Sequence, residues 1–251
     1  MIGSLGIDEI ERAYRAFLES AAADENVVGV VLSGSRGAGA YVTDRSDFDV
    51  FVVTREPADE RWAFVYGSAV EIVALTLDSF ETYALPGGHD AWNRPAFLFA
   101  KVEIDRLDGA IGRIVERKRR LTPDEAKTIA AESLDDYINT LLRSLKNLEA
   151  GREVEGRLDA AESIPPLLKT AFALEGRVRP FNKWLLHDLE REPLALEGLV
   201  ERVDRIRHDA GPGEQRAIFR DMERLARAGG HASVVDSWEP NVGWLRGEKP
   251  G

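Results

Sequence analysis

The stretch VVGVVLSGSRGAGAYVTDRSDFDVFVV, residues 27–53, decides the fold of the first part of the chain. Residues 27–32 form an apolar, β-branched run that is typical of a buried strand. A small, glycine-rich segment with an arginine follows at 33–39, and residues 46–53 begin with aspartates and then become apolar. The pattern predicts two buried strands with a tight glycine-rich loop after the first of them.

The second of these strands carries carboxylates on one face. Because side chains alternate along a strand, we expect Asp47 and Asp49 to point the same way. Phe48 and Val50 then point to the opposite face. Two carboxylates this close repel each other and lose hydration, so they stay ionised only beside a cation or strong donors. A hard divalent ion with oxygen ligands, Mg²⁺ or Mn²⁺, fits such a pair.

The glycine-rich segment has the composition of an anion site. Gly34 and Ser35 allow the backbone to approach a phosphate closely. Backbone N–H groups there, and at the start of a following helix, can cradle that phosphate. A phosphate cradle beside a metal pair predicts a site for a metal-bound nucleoside triphosphate.

These residues resemble a known signature. Gly34-Ser35, a spacer and then Asp47-Phe48-Asp49 on a strand are similar to the signature of the DNA polymerase β-like nucleotidyltransferase superfamily. The pattern Gly-Ser-Arg-Gly-x-Gly followed by Ser-Asp-Phe-Asp most resembles its small-molecule branch, which includes the antibiotic-type enzymes. The resemblance implies transfer of a nucleoside monophosphate, AMP from ATP, to a hydroxyl of a small-molecule acceptor such as an aminoglycoside-like compound. Pyrophosphate is released.

Glu71 is the expected third acidic residue. It stands in an apolar strand predicted at 69–75, where a carboxylate costs free energy unless it faces water or a cation. In the family the third acidic residue lies on a strand beside the aspartate pair, so the resemblance implies that Glu71 is a metal ligand or the general base. A solvent-facing glutamate on an edge strand is the alternative. The competing carboxylates are Asp78, Glu81 and Glu103.

Two further elements are predicted near this site. Residues 8–22 carry apolar side chains at helical spacing, which predicts an amphipathic first helix. Residues 62–66 and 69–75 are predicted to pair as a hairpin around the turn Gly67-Ser68.

The second half of the chain is predicted to be helical. Thr122-Pro123-Asp124-Glu125 has the form of a capping box with proline in the first helical position. The sequence therefore predicts an α/β (α+β) fold: a nucleotidyltransferase domain at 1–108 with a small mixed β-sheet flanked by helices, then an all-α helical bundle. The bundle, at 109–251 with a C-terminal tail, is expected to be a substrate-binding domain. The resemblance implies an active site in the cleft between the domains.

Three basic residues are candidates for contact with the triphosphate. Arg36 is predicted to contact a phosphate, or else to form a salt bridge with Asp44. Lys183 is predicted to reach the triphosphate, or else to be a surface lysine beside Trp184. Arg143 lies on a face of a long predicted helix and could meet phosphates, although a solvated helix face is the simpler explanation.

Composition bounds the class of protein. The chain has 251 residues, a formal net charge of −11 and no cysteine, which excludes disulfides and thiolate metal sites. The acidic balance argues against a long nucleic acid partner and favours a cationic acceptor. The sequence shows neither a signal peptide nor a membrane-spanning run, so we expect a soluble, cytoplasmic protein without a membrane partner. We expect it to be a monomer.

Two other functions remain compatible with the motifs. A protein-modifying or antitoxin-like nucleotidyltransferase would use the same chemistry with a macromolecular acceptor. A non-catalytic module would bind the nucleotide without releasing pyrophosphate.

Overall fold

The computed structural model describes residues 6–248, which form two compact units that divide between Arg120 and Leu121. The first unit contains a four-stranded sheet with helices, and the second is helical. This architecture confirms the predicted fold class. The elements of the first unit are α1 (Ile7–Ala23), β1 (Val27–Leu32), α2 (Gly34–Ala38), β2 (Phe48–Thr54), β3 (Val70–Thr76), α3 (Leu77–Thr82), β4 (Lys101–Asp105) and α4 (Ala110–Arg119), with 3₁₀ turns at Glu60–Trp62 and Ala91–Phe97.

The sheet has the strand order β3-β2-β1-β4. β1 pairs antiparallel with both β2 and β4, whereas β2 and β3 run parallel. β1 and β2 therefore lie at the centre, and every residue of β1 is buried. One face of the sheet packs on α1 through Tyr14 and Phe17, and the other packs on α3 and α4 through Phe80 and Ile111.

The hairpin expected at 62–66 and 69–75 is a wrong prediction. Residues 62–66 form no strand, so β3 has no partner across the turn at 67–68. β3 pairs in parallel with β2 instead, and parallel strands need a longer connection than a two-residue turn. Trp62 instead lies buried in a 3₁₀ turn, where its indole N–H donates to Asp24 at 3.0 Å. The residues after it, Phe64 to Tyr66, are exposed.

α4 belongs to the first compact unit, because Ile111 and Val115 are buried against the sheet. The division at Arg120 therefore lies beyond the expected boundary at 108/109. The roles assigned to the two domains stay predictions.

Lys118 of α4 is fully buried beneath the rings of Phe80 and Phe97, each with its centroid 5.4 Å from the ammonium nitrogen. Its Nζ donates to the carbonyl oxygens of Glu81 and Tyr83, at 3.0 and 2.7 Å. Burial lowers the pKa of Lys118 from 10.5 to about 8, and the neighbouring arginines act in the same direction. The ammonium thus ties the end of α3 to α4 at the cost of its own hydration.

Lys118→Met should lower the free energy of unfolding by about 2 kcal/mol at pH 7, because the carbonyls of Glu81 and Tyr83 lose their donor. The deficit should grow as the pH rises from 8 to 10. In that range the folded wild type has released the proton that the unfolded chain still binds, so wild-type stability rises with pH. Urea unfolding of both proteins from pH 7 to 9.5 measures the difference, with Lys146→Met as an exposed control. A pH-independent difference would contradict the prediction.

The second unit is built on a pair of long helices. Its elements are α5 (Pro123–Glu149), α6 (Glu153–Leu174), α7 (Leu185–Arg191), α8 (Leu199–Asp209), α9 (Pro212–Ala228), α10 (Ala232–Asp236) and α11 (Asn241–Arg246), with a 3₁₀ turn at Asn182–Trp184. The predicted capping box is confirmed, since the Thr122 hydroxyl accepts from the Glu125 N–H and the Glu125 carboxylate accepts from the Thr122 N–H. Leu141 of α5, Phe172 of α6 and Phe219 of α9 share one apolar core.

Glu223 of α9 is a buried carboxylate that binds the C-terminal helix. Arg246 of α11 donates to both of its oxygens, at 2.6 and 2.8 Å, and Arg227 donates at 2.8 Å. The hydrogen bonds from Arg246 and then Arg227 lower the pKa of Glu223.

Among residues 6–248, no helix combines the length and the apolar character that crossing a membrane requires.

Glu223→Gln should cost about 2 kcal/mol at neutral pH, because two guanidinium groups lose their shared charged acceptor. The native pKa of Glu223 lies below the ordinary value of 4.5, so this stabilisation is complete above 4.5 and is lost as the pH falls further. Thermal unfolding of both proteins at pH 7 and pH 3 tests this. The control Asp204→Asn breaks an exposed pair with Arg207 and should change stability by less than about 0.5 kcal/mol. Equal losses in the two variants would refute the argument.

Candidate metal and nucleotide site

The carboxylates of Asp47, Asp49 and Glu71 converge at the start of two parallel strands. In each of them one carboxylate oxygen lies within 4.8 Å of one oxygen of the other two, and all three side chains are half-buried. Asp49 of β2 is the direct register partner of Glu71 of β3. The parallel pairing explains this meeting, because it places the first residues of both strands at the same end of the sheet.

The competing acidic residues lie elsewhere in the first unit. Glu103 is on β4, which pairs with β1 and is two strands away from β2. Asp78 and Glu81 lie on α3, which begins where β3 ends. Strand order therefore distinguishes Glu71 from the alternatives that the sequence left open.

Phe48 holds the aspartates on either side of it. Its ring stacks on Tyr14 of α1, with the two ring centroids 3.7 Å apart. The Arg36 guanidinium lies over the Phe48 ring, 4.5 Å from the ring centroid. Phe48 is buried with Val50 in the core beneath α1. The alternation predicted for this strand is thus confirmed for its apolar face.

Gly34 directly contacts the carboxylate cluster. Its φ is +61°, a left-handed conformation that favours glycine, and a Cβ placed there would lie 2.0 Å from Oδ2 of Asp49. The Ser33 N–H donates to the Asp49 carbonyl at 2.8 Å, which fixes the loop against β2. The absence of a side chain at position 34 therefore leaves the space that the Asp49 carboxylate occupies.

Ser35 and Arg36 follow on α2, a helix of five residues where the sequence suggested a loop. Ser35 is buried. Arg36 forms a salt bridge with Glu11 of α1 rather than with Asp44, and it donates to the Ser46 carbonyl at 3.2 and 3.4 Å. These contacts tie the loop before Asp47 to α1. Sequence reasoning missed Glu11, because the two residues are far apart in the chain.

A backbone donor orients Glu71. The N–H of Gly67 donates to Oε1 of Glu71 at 2.7 Å, so the turn at 67–68 supports the carboxylate even though no hairpin forms. Gly67 has a φ of +73°, which its residue type accommodates without strain. The glycine in the Gly67-Ser68 pair was the signal that could have indicated this role.

The other two predicted phosphate ligands lie in the helical unit. Arg143 of α5 forms a 2.6 Å salt bridge with Asp159 and lies 3.9 Å from Glu162. Lys183 is exposed, with its ammonium nitrogen 5.1 Å from the centroid of the Trp184 ring. These contacts match the alternatives of a helix-surface arginine and a surface lysine beside Trp184, and the role of each residue toward a nucleotide stays a prediction.

The three converging carboxylates are a donor set for a hard divalent cation. Each offers an oxygen ligand, and together they place several negative charges within 4.8 Å, which a divalent ion would neutralise. The half-buried position strengthens that interaction relative to bulk water. The residues therefore fit Mg²⁺ or Mn²⁺.

The mixed sheet and the acidic cluster beside Gly34 are features that the resemblance to the nucleotidyltransferases implies. Residues 14–132 match the sequence profile of the family described as the nucleotidyltransferase domain. The resemblance to the DNA polymerase β-like superfamily is confirmed, and the protein is a nucleotidyltransferase by class.

The chain is also similar to a solved structure. This is the crystal structure of a nucleotidyltransferase-like protein from Exiguobacterium sibiricum 255-15, with a TM-score of 0.46 and 15% sequence identity. The similarity covers 94% of this chain and 78% of that chain. No curated protein sequence matches the chain.

Proposed function

We propose that the protein transfers a nucleoside monophosphate, AMP from ATP, to a hydroxyl of a small-molecule acceptor and releases pyrophosphate. The general class follows from the nucleotidyltransferase domain. The observation that carries the proposal for this chain is the convergence of Asp47, Asp49 and Glu71 beside Gly34.

Asp47 and Asp49 would hold the divalent ion, Mg²⁺ or Mn²⁺, with Glu71 as a further ligand. A bound divalent ion supplies charge neutralisation at the triphosphate and at the departing pyrophosphate. Glu71 is alternatively the base that takes the proton from the acceptor hydroxyl, for which the hydrogen bond from Gly67 keeps its carboxylate in one orientation.

Gly34 and Ser35 would bind phosphate oxygens through backbone N–H groups. The first N–H groups of a helix have no partner within that helix, and α2 begins at Gly34. The missing side chain at Gly34 also allows a phosphate to approach the backbone beside Asp49. The contacts of Arg36 with Glu11 and Ser46 favour a positioning role for it, and direct phosphate binding by Arg36, Arg143 or Lys183 stays a prediction.

The acceptor is inferred from resemblance and charge, and the nucleobase of the triphosphate is inferred from resemblance alone. The small-molecule branch of the superfamily is the one whose motif this chain resembles, and it suggests an aminoglycoside-like acceptor and ATP. The formal net charge of −11 supports a cationic acceptor, since an acidic surface attracts cations over long range.

The test is pyrophosphate release by the full chain with Mg²⁺ or Mn²⁺, for the common nucleoside triphosphates combined with hydroxylated acceptors that include aminoglycosides. Release that needs metal, nucleotide and a small acceptor supports the proposal. Transfer of labelled nucleotide to a macromolecule would instead show a protein-modifying enzyme. Metal-dependent binding of ATP without release in any combination would show a non-catalytic module.

A further inference from the structure

A cleft of about 520 Å³ lies entirely within the helical unit, between α5 and α6. One wall is a stripe of α5 that includes Asp136, Thr140 and Arg143, three or four residues apart. The other wall belongs to α6, where Pro165 and Pro166 supply apolar surface. The remaining lining residues are Ser133, Asn139, Glu162, Lys169 and Arg179.

Arg179 lines this cleft and has a buried donor that no acceptor satisfies. Its Nε is buried without a hydrogen-bond partner, while another guanidinium nitrogen donates to Asn182. Burial lowers the pKa of Arg179. Within residues 6–248 no carboxylate forms a salt bridge with it. A buried donor of a charged group that lacks its acceptor is costly, and an external oxygen ligand would remove that cost.

Lys169 adds a second available cation. It is exposed on α6, lines the same cleft and forms no salt bridge within the described residues. Arg143 differs, because Asp159 already neutralises it at 2.6 Å. The cleft therefore presents Arg179 and Lys169 to a ligand, in a chain whose overall charge is strongly negative.

We propose that this cleft binds a small molecule through a carboxylate or phosphate group held by Arg179 and Lys169. The planar fork of an arginine matches both groups, and a lysine adds a point charge. Asp136 and Glu162 line the same cleft and repel a ligand with many negative charges, so the ligand carries one such group together with hydroxyl or amino groups. The apolar surface of the prolines packs against its carbon skeleton.

The experiment titrates the full ¹⁵N-labelled chain with inorganic phosphate and, separately, with glycolate at constant ionic strength, without metal or nucleotide. We expect one of these probes to shift the Nε–Hε signal of Arg179 to saturation. Lys169→Gln should weaken that binding by about tenfold, because it removes a charged partner of the anion. Arg179→Gln identifies the signal by its loss, and the backbone amide signals of this variant should show no saturable shift with either probe. Saturation by phosphate alone or by glycolate alone identifies the preferred group.

Lys146→Gln is the matched control, because Lys146 is an exposed lysine of α5 that does not line the cleft. Its binding should equal that of the wild type. If neither probe gives a saturable shift, or if Lys169→Gln and Lys146→Gln bind alike, the proposal is refuted. Circular dichroism checks the fold of Arg179→Gln, and Lys169→Gln decides the outcome if that variant does not fold. Nucleotidyl transfer is not measured here, so failure of the proposed function leaves this result unaffected.

Discussion

Asp49→Asn should reduce nucleotidyl transfer by about a thousandfold, because under the proposed function it would remove a charged ligand of an ion worth several kcal/mol of transition-state stabilisation. Metal binding should weaken by at least about tenfold, because even the loss of a residue that only hydrogen-bonds to a metal ligand typically costs that much affinity. Pyrophosphate release measures the first effect once an acceptor is known. Electron paramagnetic resonance of bound Mn²⁺ measures the second and needs no acceptor.

Asp44→Asn is the control for this prediction. Asp44 is an exposed aspartate three positions before Asp47, so its loss changes the net charge equally without touching the carboxylate cluster. It should bind Mn²⁺ and release pyrophosphate as the wild type does. Equal Mn²⁺ affinity in wild type and Asp49→Asn would remove the metal site from this position.

Gly34→Ala should reduce activity by about a hundredfold, because misplacing a reacting group by about 1 Å can cost that much. The added Cβ would lie 2.0 Å from Oδ2 of Asp49, so the carboxylate or the loop must move. The left-handed backbone adds a cost of roughly 1–2 kcal/mol for a residue with a side chain. Pyrophosphate release, Mn²⁺ affinity and urea unfolding report these effects separately.

Gly39→Ala separates collision from backbone strain. Gly39 ends the same helix with a φ of +66°, close to the +61° of Gly34, but the atom nearest to its added Cβ is Nζ of Lys101 at 3.9 Å. Both variants should lose stability through the left-handed backbone, whereas only Gly34→Ala should also lose metal affinity. Unchanged Mn²⁺ binding by Gly34→Ala would show that the loop adapts without disturbing Asp49.

The local features of the site could be predicted because they depend on short stretches of chain. The alternation that points Asp47 and Asp49 away from Phe48 is a property of any strand. The glycine at position 34 indicated a close approach to the backbone, and the structure places the Asp49 carboxylate there. The capping box at Thr122 marked the start of the helical half. Each of these signals is complete within a few residues.

The third carboxylate shows where local reasoning ended. The sequence offered Glu71 with three competitors, and its selection of Glu71 depended on the resemblance to a family. The structure brings Glu71 to Asp49 through the parallel register of β2 and β3. The expected hairpin was wrong for a related reason. The chain between Trp62 and β3 forms no strand, and no short stretch of sequence indicates that β3 pairs with β2.

Contacts between distant segments were equally beyond the sequence. Arg36 has an aspartate eight positions later in the loop, yet it pairs with Glu11 on α1. The cleft that contains Arg179 and Lys169 depends on how α5 and α6 pack, so its residues carry no common motif.

The sequence by itself determined the class of fold, the paired aspartates on one strand face and the glycine–serine turn, because hydrophobic period and backbone freedom act over a few neighbouring residues. Only the tertiary structure decided which carboxylate joins Asp47 and Asp49, which residue neutralises Arg36 and which cations share a cleft in the helical unit. These depend on strand order and helix packing, which the burial of apolar surface sets over the whole unit rather than along any one segment.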